Sequence, residues 1–164
     1  MDMRLLVAFA ALFVTLAAAQ PVLRKPVFFD EGIMSEQRAR DLIDVVRQNF
    51  WGKAKAFDGR TVIQPRDDAE RRTIPIPEVD ALWLIQAGSL HGEATRCGID
   101  DSDFQKSFFK PFWGRYPAEK QIAFAATLMG AASGDVEKRR GKLECTPERK
   151  KKIEQVMQIL KPSS

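Results

Sequence analysis

The stretch Val79–Gly98, VDALWLIQAGSLHGEATRCG, decides the fold. Wound at 3.6 residues per turn, Val79, Leu82, Trp83, Ile85 and Leu90 do not share one stripe. A helix apolar on nearly every side is enclosed by other helices. At about 20 residues the run is too interrupted by charge to span a membrane. Gly88 and Gly92, four apart, bare one face for close approach of another helix. His91, the chain's one histidine, and Cys97, one of its two cysteines, lie in the same stretch.

Working outward, the remaining segments read as helices around this one. Ser35 is placed as an N-cap, with Met34 before it and Ala39 in staple position. Ala39, Leu42, Ile43, Val46 and Phe50 then recur at helical spacing, and Gly52 ends the run. From Lys53 to Pro77 the pattern breaks into turns at Asp58-Gly59 and Pro65–Asp68 and a proline-punctuated run to Pro77. This predicts a loop-rich arm or short β-hairpin between the first and second helices, a connector that also offers a candidate binding surface.

Beyond Gly98, Asp101 or Ser102 reads as an N-cap, which accounts for the acids at 100, 101 and 103 better than a calcium loop does. Phe104, Phe108 and Phe112 recur at i, i+4 and i+8, alongside Phe109 and Trp113, as a core face or an aromatic groove. Pro111 is expected to kink or end that helix. Pro117 reads as the first residue of the next, whose buried side is Ile122, Ala125, Ala126, Leu128, Met129 and Ala132. Gly130 and Gly134 repeat the spacing of Gly88 and Gly92, so the two helices are expected to cross at their glycine faces. Gly141 stops that helix, and Thr146-Pro147-Glu148 starts the last, which buries Ile153, Val156, Met157 and Leu160. The fold class is therefore all-α, a small bundle of about five helices.

Residues 1–19 read as a secretory signal peptide. Arg4 supplies a positive start, Leu5–Leu16 an apolar core too short to span, and Ala17-Ala18-Ala19 a cleavage site after Ala19. Residues 20–164 then form one helical domain, exported to the periplasm or secreted, with no transmembrane segment in the mature chain. The chain has 26 basic and 22 acidic residues, net +4; losing Arg4 and Asp2 leaves that net unchanged. In an exported domain two cysteines predict one disulfide, Cys97 to Cys145. It closes a loop of about 49 residues, worth ~4 kcal/mol in the chain-entropy model.

Chemistry is sparse. There is no G-x-S-x-G, S-x-x-K or H-E-x-x-H motif and no glycine loop for phosphate, and no metal or cofactor is expected. His91 and Glu93 are the catalytic candidates. They are two apart and so point about 200° from each other on a helix, and a hydrolase would need His91 to meet a carboxylate from elsewhere. Lys138, Arg139, Arg140 and Lys142, then Arg149, Lys150, Lys151 and Lys152, form a basic cluster suited to a protein partner or an anionic envelope lipid or polysaccharide. Nucleic acid is not expected. The leading reading is an exported, non-enzymatic binding protein. The alternatives are a small hydrolase built on His91 and Glu93, or a periplasmic stress chaperone that exposes its aromatic face in acid.

Overall fold

The computed structural model describes residues 34–56, 58–140 and 144–161. The expected signal peptide and cleavage site, and Gly141 and Lys142, lie outside these residues. The described chain is mostly helical and has no strand: α1 Glu36–Phe50, α2 Asp68–Arg71, α3 Glu78–Cys97, α4 Ser102–Arg115, α5 Glu119–Arg140 and α6 Pro147–Leu160. No helix among them is long and apolar enough to cross a membrane.

α3 is the enclosed helix. Ala81 through Leu90 are all buried, as are Gly92, Glu93, Ala94 and Cys97, so neighbours cover it on every side. α1, α4, α5 and α6 all pack against it. Leu84, Ile85 and Leu90 have no exposed surface at all, and each contributes about 1.5–3 kcal/mol by leaving water. Gly98 ends α3 in the left-handed conformation (φ 64°), with its N–H returned to Thr95 and that of Ile99 to Ala94.

α1 packs Ala39, Leu42, Ile43, Val46 and Phe50 inward, and Ser35 Oγ caps Arg38 N at 3.3 Å. Phe50 meets Phe124 of α5 edge-to-face, with ring centroids 5.0 Å apart. Between α1 and α3, Lys55 and Val62 form a single antiparallel bridge, and Asp58 accepts from the N–H groups of Arg60 and Thr61 at the turn. The second expected turn holds α2, capped by Asp67. These segments are tied to α5 through the Lys120–Glu70 ion pair and the Gln121 amide donating to Pro75 O at 3.0 Å.

Three local expectations are corrected. α4 does not end at Pro111 but continues to Arg115, because Phe112 is buried and Arg115 and Tyr116 both hold Asp80. That anchoring outweighs the ~3 kcal/mol cost of an internal proline. α5 begins at Glu119 rather than Pro117, since the Ala118 carbonyl accepts the first helical N–H groups, from Gln121 and Ile122. The glycine crossing is one-sided: Gly88 and Gly92 face α5, but space around Gly130 and Gly134 is open.

That asymmetry is testable. A Cβ on Gly88 would lie 2.5 Å from the Met129 carbonyl oxygen and 2.8 Å from Met129 Cα. Backbone cannot yield as a side chain tip does, so Gly88→Ala is expected to cost about 1–3 kcal/mol in urea unfolding. Gly130→Ala meets nothing and should gain about 0.5–1 kcal/mol from helix propensity. Equal effects at the two positions would refute the packing described.

Candidate functional site

His91 sits on the fourth turn of α3, half-exposed, with its Nδ1 2.9 Å from Asp101 Oδ2. Gln105, one turn into α4, donates to the same oxygen at 2.8 Å. An ionised carboxylate only accepts, so Nδ1 carries the proton and Nε2 of a neutral ring is left as acceptor. Asp101 holds the N-cap position of α4 expected from sequence, but its side chain makes no capping hydrogen bond. It orients the histidine, a role that spacing along the chain does not reveal. Asp100 accepts from Ser102 N at 3.0 Å, and hydrogen bonds from the Ser102 backbone and then its hydroxyl hold this carboxyl below its ordinary value.

Glu93 has a different environment. It is fully buried, and Arg149 of α6 grips both its oxygens, with Nη2 at 2.7 and 2.8 Å and Nε at 3.2 Å. Arg96 adds a contact at 3.4 Å. A buried carboxylate keeps its charge only with such partners. One turn further along α3, Cys97 is joined to Cys145 in a disulfide, Cα to Cα 5.3 Å. Ion pair and disulfide together fasten the start of α6 to the end of α3. Arg149 thus belongs to the interior rather than to an exposed basic cluster. Its place in the first turn of α6, unfavourable to the helix dipole, is explained by Glu93.

The remaining basic residues do not share one groove. Lys138 borders a groove of about 420 Å³ between α1 and α5, with Arg38, Asp41 and the open face of Gly130 and Gly134. Lys150 and Lys151 line another of about 750 Å³, between the α3–α4 turn and α6, over Ile99 and Met157. Asp100 and Glu154 also line it. Lys150 and Lys151 are exposed and Lys152 is half-buried. Arg139 and Arg140 close α5.

The aromatic face of α4 is core on one side. Phe104, Phe108 and Phe112 are 3, 2 and 2% exposed, whereas Trp113 keeps 45%. Among the described residues no three His, Cys, Asp or Glu side chains gather as a metal would require.

A third cluster escaped the sequence reading. Asp80, 2% exposed at the start of α3, accepts from Arg115 Nη1 at 3.1 and 3.2 Å and from the Tyr116 hydroxyl. The signal was an acid inside an otherwise apolar run, which needs a partner once buried. No family model, curated protein or solved structure matches the chain.

Burial, with Asp80 beside it, pushes the Tyr116 hydroxyl up from 10.0 to about 12. Folding therefore retains a proton that the unfolded chain releases. Its contribution to stability is complete below pH 10.0 and is lost as pH rises towards about 12. Tyr116 is the only tyrosine, so phenolate absorbance reads it alone. The native titration midpoint should lie near about 12 and fall to about 10 in denaturant. A native midpoint at the unfolded value would show that the Asp80 cluster does not form.

Proposed function

We propose that the chain is an exported, non-enzymatic helical bundle, with a short hairpin-like arm, that binds an anionic partner, a protein or an envelope component. The export part rests on residues 1–19 and places the domain in the periplasm or outside the cell. The binding part is carried by one observation: Lys150 and Lys151 stand exposed on the groove beside the α3–α4 turn, above apolar Ile99 and Met157. Neither lysine's side chain has a hydrogen bond or ion pair among the described residues. The wall that carries them is fixed by the disulfide and by the Glu93–Arg149 pair. A rigid wall loses little freedom on binding, which favours a site over a mobile charged surface. Asp100 and Glu154 line the same groove, so its positive charge is confined to the two lysines.

Reversal of both lysines (Lys150→Glu, Lys151→Glu) should weaken binding to a lipid-free polyanion, dextran sulfate, by about tenfold or more at low salt, with the far-ultraviolet spectrum unchanged. The difference should vanish near 1 M salt, where the screening length is about 3 Å. Unchanged affinity at low salt would remove this reading.

A hydrolase remains the second reading because of one arrangement, the half-exposed His91 held through Nδ1 by Asp101. Glu93 takes no part in it, being enclosed by two arginines. A positioned imidazole of this kind is a general base when a substrate or water reaches Nε2. On this reading His91→Gln abolishes turnover in a hydrolysis screen without lowering the unfolding midpoint. A lowered midpoint, with no turnover to lose in the parent protein, would leave His91 as a tether between α3 and α4. The stress-chaperone reading demands more, since Phe104, Phe108 and Phe112 must leave the core to be offered.

A further inference from the structure

The outer face of α4 presents a pattern that the core does not require. Opposite Phe104, Phe108 and Phe112, the exposed arc carries Ser102, Asp103, Lys106, Lys110, Trp113 and Gly114. Trp113 is not loose. Its ring stacks on Phe109, with centroids 5.5 Å apart and planes 21° apart, and Phe109 meets buried Phe108 edge-on at 5.7 Å. A chain of rings thus ties an exposed indole to the core and fixes where it points. Nothing lies within 4 Å of the Cβ position at Gly114, so that position of the arc is open as well. Lys106 and Lys110, on the two preceding turns, are exposed, and neither side chain has a hydrogen bond or ion pair among the described residues, although the Lys106 charge helps to hold the Asp100 carboxyl down. Asp103 is the single acid of the arc.

We propose that this face of α4 seats the protein on the surface of an anionic lipid bilayer, with Trp113 at the headgroup boundary and Lys106 and Lys110 on lipid phosphates. Indole suits that depth, apolar in its body and polar at its N–H. Lysine suits it too: the stem lies along apolar surface while the ammonium reaches the phosphates. A protein partner would favour another composition, because interface centres are depleted in lysine and enclose their aromatic anchors in a dry pocket. One tryptophan and two lysines give weak, reversible seating rather than permanent anchoring. The inference shares only export with the proposed function; the surface is a different one.

The chain has three tryptophans. Trp51 and Trp83 are 6 and 4% exposed against 45% for Trp113, so a change in indole environment on binding reports Trp113. The experiment uses protein recovered from its own host and vesicles of phosphatidylglycerol in phosphatidylcholine, with and without bromine on the acyl chains. At low salt, emission should shift to the blue and be quenched by brominated lipid, and phosphatidylcholine alone should do neither. Lys106→Glu with Lys110→Glu should lower partitioning about tenfold, and Trp113→Ala should lower sedimentation with vesicles while leaving the fold intact by circular dichroism. Lys150→Glu with Lys151→Glu should lower partitioning less than reversal at 106 and 110, and should leave the blue shift of Trp113 at saturating lipid in place. The proposal is overturned by emission that stays unshifted and open to aqueous acrylamide at saturating lipid. Equal response to phosphatidylcholine alone overturns it too, as does a larger loss of partitioning on reversal at 150 and 151 than at 106 and 110. Protection of Trp113 by a protein but not by vesicles would assign the face to that protein.

Discussion

The close approach of α3 to α5 is the constraint on which the rest depends. With no side chain at Gly88 and Gly92, the backbone of α5 at Met129 and Ser133 lies where side chains would otherwise stand. One side of α3 is thereby closed by backbone, and its other sides are free to receive α1, α4 and α6. Each is then fixed by a polar residue of α3. For α1 that residue is Glu78, which pairs with Arg40. Asp80 holds the end of α4, and His91 meets Asp101 at its start. Glu93 holds α6. An enclosed helix is the element best placed to address every neighbour.

Apolar burial alone does not specify such an arrangement, because it is non-directional. The buried acids supply direction. Asp80 and Glu93 lie about 13 residues apart on α3, some 20 Å along its axis. Each is met by an arginine from a later segment, Arg115 or Arg149. Desolvating these charges costs free energy that the pairs only partly recover, and a well-packed apolar replacement is often no less stable. What the pairs exclude is slippage. A turn of displacement of α6 along α3 would leave Glu93 buried without its fork, at a cost of about 3–5 kcal/mol. The disulfide from Cys97 restrains the same junction covalently.

These facts divide what was legible in the sequence from what was not. The enclosure of α3 could be read because its apolar residues ignore any stripe, and the caps at Ser35, Gly98 and Thr146 because cap chemistry is local. The cysteine pairing followed from there being only two. Partner choice was illegible. Asp101 is at the cap position its sequence suggests, but nothing local tells that its side chain turns to His91, and Arg149 looks like surface until Glu93 is seen beneath it. Gly130 and Gly134 carry the same spacing as Gly88 and Gly92, yet point to open space, because spacing gives a face without saying what the face meets. Pro111 misled as a stop for a related reason: the local penalty is real, and distant anchoring through Asp80 carries the helix past it.

The same split explains where binding is to be sought. Arg38, Arg96, Arg115 and Arg149 all reach carboxylates at or near full burial, Asp135, Glu93 and Asp80. The planar guanidinium fork suits that task, being weakly hydrated and able to take both oxygens. Lysine is a compact, strongly hydrated charge and pays more to leave water. The side chains of Lys110, Lys138, Lys150 and Lys151 accordingly stay exposed without a hydrogen bond or ion pair among the described residues, with Lys106 near Asp100 and Lys120 on Glu70 as counterexamples. A run such as Arg149-Lys150-Lys151 therefore carries two kinds of information, as successive residues turn by about 100° on the helix. The arginine reports the interior, and the lysines report a surface whose charge the fold itself does not use.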